Sequence, residues 1–271
     1  LKEKYNLEDL NAYIKPERDL QFAYLGIKTL YDRYLIKDKS GMPIELPQHM
    51  FMAIAMFLAQ NELDSQGCAK KFYDLISKFE VMLATPTLSN ARTTRHQLSS
   101  CYVGSTPDNI EGIFDSYKEM ALLSKFGGGI GWDWSKVRAM GGSIDGHKNA
   151  AGGIIPFLKV TNDIAVAVDQ LGTRKGAIAV YIEPWHMDVS DFLDLRKNSG
   201  EERRRAHELF PALWINDLFM QRVKENGRWS LFDPAQVSDL CDLYGEEFEK
   251  RYLEYENDEH IQKNTILAKE L

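Results

Sequence analysis

Hydroxyl, thiol and glycine residues are concentrated in two short stretches of this sequence. Residues 85–101 contain TPTLSNA and end in LSSC, and residues 127–131 read GGGIG. Serine and threonine hydroxyls donate and accept hydrogen bonds, glycine lets the backbone approach a ligand closely, and a thiol offers redox chemistry. The combination suits a small polar substrate. The alternative is a turn-rich loop with one buried cysteine.

Charge and composition exclude some classes of partner. The 271 residues are 44% hydrophobic and carry a net charge of -7, which repels nucleic-acid backbones at long range. The triple arginine at residues 203–205 follows two glutamates and is typical of a solvated helical face. No apolar run is long enough to span a bilayer, and no leader is apparent. We therefore expect a soluble, cytoplasmic protein that binds neither nucleic acid nor membrane.

The three cysteines are Cys68, Cys101 and Cys241, and they lie far apart in the sequence. They form no CxxC pair and no His/Cys spacing of the kind that binds zinc, so we predict no metal site. An odd number of cysteines favours a reducing compartment. Each is then either a small core residue or a working thiol.

Two regions follow from the periodicity. The periodicity of residues 1–79 predicts a helical region with three helices. One covers residues 17–35, one begins at Pro47, and one is capped by Asp64. Residues 80–271 alternate helices with strands, including a continuous apolar run at 177–182 that indicates a strand buried on both faces. This alternation favours an α/β sheet or barrel.

Several residues suit nucleotide chemistry, each with a structural alternative. Asp108, with Glu111 three residues later, is typical of a helix cap. Its carboxylate could instead accept a hydrogen bond from a sugar hydroxyl. Arg138, beside a glycine-rich loop, could hold a polyphosphate or be an exposed structural arginine. The EPWH stretch from Glu183 to His186 is interpreted as a strand-end turn before a helix capped by Asp188. The GGGIG run matches neither a Walker loop nor a Rossmann fingerprint, so it favours close backbone approach to a ligand.

Together and in order, these motifs resemble the large, catalytic subunit of class I ribonucleotide reductase. The matching segments are residues 9–11 (DLN), 26–30 (GIKTL), 47–50 (PQHM), 85–88 (TPTL), 97–101 (QLSSC), 128–131 (GGIG), 183–186 (EPWH), 192–195 (FLDL), 212–214 (ALW) and 229–231 (WSL). The resemblance implies an α/β fold: a helical N-terminal region, here residues 1–79, followed by the first half of a ten-stranded α/β barrel, residues 80–271, with dimerisation helices and effector loops. It also implies reduction of ribonucleoside diphosphates to deoxyribonucleotides.

The resemblance further implies site residues. Cys101 would be one of the paired cysteines that deliver reducing electrons. The implied substrate contacts are Thr85, Ser100, Cys101, Gly129 and Arg174. The implied effector contacts are Asp108, Asn109, Ile110, Lys125, Arg138, Ile144, Asp145 and Gln170. Asp145 stands where some members place a cation near the effector phosphates, so Lys148 or His147 could supply that charge instead.

The family's cofactors and partners are implied in the same way. No covalent cofactor is expected; a deoxynucleoside triphosphate or ATP, with Mg²⁺, would act as allosteric effector. The partners would be a small radical-generating subunit, a second large subunit and thioredoxin or glutaredoxin. The radical cysteine and the C-terminal half of the barrel would lie beyond Leu271, so we expect no activity from this polypeptide alone. The alternatives are a non-catalytic deoxynucleotide-binding dimerisation module and, disfavoured by the ordered motifs, a glycyl-radical enzyme.

Overall fold

The computed structural model describes residues 2–94, 96–125, 128–168 and 176–271. These form two compact units, Leu1–Ser100 and Cys101–Leu271. The first unit is helical, and its helices are α1 (Leu7–Tyr13), α2 (Tyr24–Arg33), α3 (Pro47–Ala59), α4 (Ser65–Ser77) and α5 (Thr85–Asn90). Short 3-10 helices occupy Lys2–Lys4 and Pro16–Gln21.

Local signals account for two of the helix starts. Pro47 occupies the first turn of α3, where its missing N–H is not needed. The Asp64 side chain accepts a hydrogen bond from the Gly67 amide and caps α4, as predicted. The apolar faces of α3 and α4 pack together around Met50, Ile54 and other buried residues of one core.

The prediction of one helix over residues 17–35 is wrong. The chain is extended at Phe22 and Ala23, between a 3-10 helix and α2. This break turns the Phe22 ring toward Phe51 and Phe79, with ring centroids 6.2 and 5.0 Å away. Aromatic packing at the edge of the core therefore overrides the helical periodicity of the segment.

The first unit extends past the predicted helical region. Residues 80–100, which the sequence analysis placed with the barrel, contain α5 and contribute Leu88 and Ala91 to the core of the helical unit. Burying these side chains removes apolar surface from water.

The second unit alternates strands with helices. Its elements are β1 (Cys101–Ser105), α6 (Ile110–Lys125), β2 (Gly129–Asp133), α7 (Ile155–Ala167), β3 (Ile178–Ile182), α8 (Val189–Leu193), β4 (Leu209–Leu213), α9 (Asp217–Glu225), β5 (Arg228–Phe232), α10 (Gly245–Asn257) and β6 (Lys263–Leu267). Further 3-10 helices lie at Glu202–Arg204, Ser238–Asp242 and Ala268–Glu270.

Within the described residues, β1 to β4 form a parallel sheet in the order of the chain, and β5 pairs antiparallel with β6. Helices α6 and α7 contact one face of the parallel sheet, where Trp132 and Val180 are buried. A helical region followed by consecutive parallel strands is the arrangement expected at the start of the predicted barrel. The predicted fold class is therefore confirmed.

The other face of the sheet, here called the open face, is only partly covered by the described residues. Alternate side chains of a strand point to opposite faces, and Val103 on the open face is 89% exposed. The run at 177–182 forms β3, as predicted, but Ala179 and Tyr181 are only half-buried. The expectation that this strand is buried on both faces is therefore met on one face only. No helix in the described ranges has the length and apolar character needed to cross a bilayer.

Candidate functional site

A cavity of about 390 Å³ lies at the N-terminal ends of α6 and α7. Its lining residues are Asp108, Asn109, Ile110, Ile113, Val137, Arg138, Ile144, Asp145, Ala151, Gly152, Gly153 and Phe157. The β1–α6 connection, the segment after β2 and the glycine-rich loop before α7 all contribute to it. The cavity therefore collects six of the eight effector residues implied by the sequence.

Both helices present their positive ends to this cavity. The Asn109 Oδ1 atom accepts a hydrogen bond from the Gly112 amide at 2.8 Å, so Asn109 caps α6. At α7 the preceding residue, Ile154, makes no side-chain cap bond. A helix N-terminus carries unpaired N–H groups and a partial positive charge, which favour bound anions.

The predicted cap at Asp108 is wrong by one residue, because Asp108 binds Arg138 instead. Its carboxylate accepts hydrogen bonds from the backbone amide of Arg138 at 3.0 Å and from the Arg138 Nε at 2.9 Å. The Arg138 Nη2 atom lies 2.9 Å from the same carboxylate. The Arg138 Nη1 atom donates to the Ser143 carbonyl at 2.6 Å. Three of the five guanidinium N–H groups are thus used within the described part of the chain, and the other two have no acceptor there.

The glycine-rich loop of residues 140–153 is held at its base by buried carboxylates. Asp188 accepts the amides of Met140 and Ile154, each at 3.0 Å. It forms no side-chain cap on α8, in contrast to the prediction. Asp233 accepts the Ala139 amide at 3.0 Å. The loop that walls the cavity therefore has a fixed base.

His186 has a structural role, as interpreted from the sequence. The ring is fully buried; Nδ1 accepts the Asp188 amide at 3.0 Å, and Nε2 lies 2.9 Å from the Val137 carbonyl. These bonds hold the turn after β3 against the segment that carries Arg138.

Ile144 and Asp145 lie at the tip of the loop. Ile144 exchanges two backbone hydrogen bonds with His147, at 3.1 and 2.8 Å, and Asp145 has a positive φ of 47°. Neither His147 nor Lys148 lines this cavity. Lys125 is outside it as well, because it ends α6 while Ile110 begins it, which separates them by about 22 Å.

The implied substrate residues fall in both units. Cys101 begins β1 and pairs in register with Gly129 at the start of β2, on the open face of the sheet. Thr85 begins α5 in the helical unit, where its Oγ1 lies 3.0 Å from the Tyr34 hydroxyl, and Ser100 is the last residue of that unit. Gly127, Gln170 and Arg174 lie outside the described residues.

A separate cavity, of about 540 Å³, contains titratable groups that the sequence did not single out for chemistry. Burial raises the pKa of the Glu183 carboxyl to about 8, and the Asp133 and Asp242 charges act in the same direction. Burial also raises the pKa of the Cys241 thiol. Cys241 is half-buried at the wall of this cavity, whereas Cys101 is exposed.

Sequence reasoning missed Phe157 as a wall of the first cavity. Its position in the first turn of α7, directly after the second glycine-rich stretch, was the available signal.

Comparisons with known proteins place the chain in a family. Residues 20–96 match the model of the ribonucleotide reductase all-alpha domain, and residues 99–271 match that of the ribonucleotide reductase barrel domain. The chain belongs to the ribonucleotide reductase family, as the resemblance predicted.

Its relatives include named alpha subunits of ribonucleoside-diphosphate reductase. The protein from Helicobacter pylori strain J99 is 72% identical over 270 residues, covering 100% of this chain and 34% of the relative. Those from Chlamydia trachomatis serovar D and Treponema pallidum are 50% and 45% identical over 94% and 98% of this chain, and 24% and 32% of the relatives. The chain thus spans about a third or less of the length of these relatives.

Proposed function

We propose that the chain is part of the catalytic subunit of a ribonucleoside-diphosphate reductase and carries its nucleotide effector site. The effector site is inferred from the cavity between the N-termini of α6 and α7, which is lined by Asp108, Asn109 and Arg138. Two positive helix ends and a guanidinium fit a polyphosphate. The apolar wall, with Ile113 and Phe157, fits a nucleobase.

Asp108 would act mainly through Arg138. The carboxylate orients the guanidinium, whose two remaining N–H groups are available to phosphate oxygens. A nucleotide ribose could reach the same carboxylate from the cavity. Asn109 holds the end of α6 and keeps its amides directed toward the ligand.

The effector would be a deoxynucleoside triphosphate, thymidine triphosphate in the first instance, or ATP. The described residues hold no cluster of three or more His, Cys, Asp or Glu that could ligate a metal ion. Mg²⁺ would therefore arrive on the phosphates. Asp145, which has no ion pair among the described residues, is the carboxylate available to it.

Cys101 would supply reducing electrons as one member of a thiol pair. Two thiols that become a disulfide release two electrons, and an exposed thiol at a strand start can reach both a substrate and a second cysteine. Gly129, its register partner, leaves room for a substrate at this edge. The substrate would be a ribonucleoside diphosphate, also contacted by Thr85, Ser100 and Arg174.

The test of the effector site is calorimetric titration of thymidine triphosphate into wild type and Arg138→Ala. Loss of charge-assisted hydrogen bonds should weaken binding by roughly 1.5–3 kcal/mol, tenfold or more. Arg222→Ala is the matched control, because Arg222 also pairs with a carboxylate, Glu256, but lies outside the cavity. Equal affinity in wild type and Arg138→Ala would remove Arg138 from the site.

The partners implied by the family belong to this proposal: a small radical-generating subunit, a second large subunit, thioredoxin or glutaredoxin, and the remainder of the barrel. The second candidate function is a deoxynucleotide-binding dimerisation module without chemistry of its own, favoured by the same cavity. Deoxyribonucleotide formation in the presence of the other components separates the two, because it requires the Cys101 thiol. Cys101→Ser should abolish it and leave effector affinity unchanged.

A further inference from the structure

The loop of residues 140–153 also borders a second cavity, of about 540 Å³, here called the polar cleft. The cleft is lined by Met140, Gly141, Gly142, Ser143, Lys148, Asn149, Met187, Asp233, Gln236, His260, Gln262 and Asn264. None of these residues lines the effector cavity. The cleft is therefore lined by different residues from the effector cavity, and the Arg138–Ser143 hydrogen bond joins their walls.

One oxygen of the largely buried Asp233 side chain opens onto this cleft. Asp233 is only 5% exposed, and its Oδ1 accepts the amides of Ala139 and Ala235 at 3.0 and 3.1 Å. Its Oδ2 accepts no hydrogen bond from any residue in the described ranges. A Cβ atom at Gly142 would lie 2.8 Å from Oδ2, so glycine at this position keeps the oxygen open. The oxygen is reached from the cleft and can therefore accept a hydrogen bond from a ligand donor.

The rim of the cleft, in contrast to the carboxylate at its base, carries hydrogen-bond donors. Lys148 is exposed and forms no ion pair with any described residue. The Gln236 Oε1 atom already accepts the Gln262 amide at 3.0 Å, which leaves the Gln236 amide nitrogen as a donor. His260 and Asn264 stand on the same wall. An ammonium and side-chain amides are suited to an anionic group.

We propose that the polar cleft binds a hydroxylated phosphate ester. The sugar hydroxyls donate to Asp233 Oδ2 at the base, and the phosphate lies at the rim against Lys148 and the Gln236 amide. A bare phosphate satisfies Asp233 less well than a sugar hydroxyl does, because the negative charge of the phosphate is repelled by the carboxylate. The volume lies within the range of small-ligand sites. Two sources share this chemistry, a free sugar phosphate and a nucleoside monophosphate.

Calorimetry with ribose 5-phosphate, ribose and inorganic phosphate tests the proposal. Ribose 5-phosphate should bind wild type about tenfold more tightly than inorganic phosphate, because the sugar hydroxyls of the ester satisfy the buried carboxylate better. Lys148→Ala should weaken ribose 5-phosphate binding about tenfold through loss of a charge-assisted hydrogen bond. Lys224→Ala, an exposed lysine on α9 outside the cleft, is the control and should leave the affinity unchanged.

Asp233→Asn tests the base of the cleft. The amide keeps a carbonyl oxygen for the Ala139 and Ala235 amides but loses the charged acceptor, so the preference for ribose 5-phosphate over inorganic phosphate should fall. If this variant fails to fold, Gln236→Ala on the exposed rim carries the test and should weaken binding of both phosphates. Adenosine monophosphate identifies the source, because the part of its affinity lost in Lys148→Ala reports on the cleft alone. If Lys148→Ala loses more affinity for adenosine monophosphate than for ribose 5-phosphate, the natural ligand is a nucleotide. If the loss of affinity is equal or smaller, the ligand is a free sugar phosphate.

Three results would overturn the proposal: no binding of ribose 5-phosphate by wild type at millimolar concentration, equal affinity in wild type and Lys148→Ala, or inorganic phosphate binding as tightly as the ester.

Discussion

The buried carboxyl of Glu183 should make the stability of the fold depend on pH in an unusual direction. The side chain is 7% exposed, and its Oε2 accepts the Trp185 indole N–H at 2.7 Å. Burial, reinforced by the charges of Asp133 and Asp242, raises its pKa from 4.5 to about 8, against the opposing effect of the Trp185 bond. At neutral pH the folded protein therefore holds a proton here that the unfolded chain has released.

The sign follows from proton linkage. Between pH 4.5 and about 8 the folded state binds more protons than the unfolded state, so the free energy of unfolding decreases as pH rises. Below pH 4.5 the Glu183 carboxyl does not lower the free energy of unfolding, because it is protonated in both states. Above about pH 8 it lowers the free energy of unfolding by its full amount. The difference between the two pKa values corresponds to a total on the order of 5 kcal/mol, of which roughly 3 kcal/mol falls between pH 5 and pH 8.

Glu183→Gln removes the titration but keeps an oxygen that can accept from Trp185. Urea unfolding followed by tryptophan fluorescence should show the variant gaining roughly 3 kcal/mol relative to wild type between pH 5 and pH 8. Other titrating groups are common to both proteins and cancel in the difference. Glu119→Gln, at an exposed position of α6, is the control and should show no such change. Parallel stability curves for wild type and Glu183→Gln would refute the reasoning.

Three further outcomes can be checked on the same protein. Gly104→Ala places a Cβ atom 2.5 Å from the buried Trp132 ring, so thermal unfolding should show a loss of about 1–3 kcal/mol, and an unchanged melting temperature would contradict the packing described. Asp64→Ala removes the cap of α4 and should cost about 0.5–2 kcal/mol by urea denaturation, whereas a neutral effect would mean that the cap contributes nothing. The chain should self-associate through the open sheet face, where Val103 and Phe210 are 89% and 50% exposed, and sedimentation velocity should show less association for Val103→Asp; a monodisperse wild-type monomer would contradict this.

Much of the local structure could be predicted from the sequence. Pro47 and Asp64 mark helix starts because their effects on the backbone are local. The continuous apolar run at 177–182 likewise indicates a strand, although the structure buries it on one face only. The motif order likewise predicted the family. Six implied effector residues, scattered from Asp108 to Asp145, do line one cavity, although their role stays a prediction.

Only the tertiary structure shows the contacts that join residues far apart in the sequence. Asp108 and Arg138 are 30 positions apart in the sequence, so no local signal shows that the carboxylate binds the guanidinium and leaves the cap to Asn109. The helix predicted over 17–35 breaks because the Phe22 ring packs on rings far away in sequence. The pKa of Glu183 likewise depends on burial by the whole fold. Sequence periodicity reports the preferences of neighbouring residues, whereas desolvation, ion pairing and core packing arise only when segments meet.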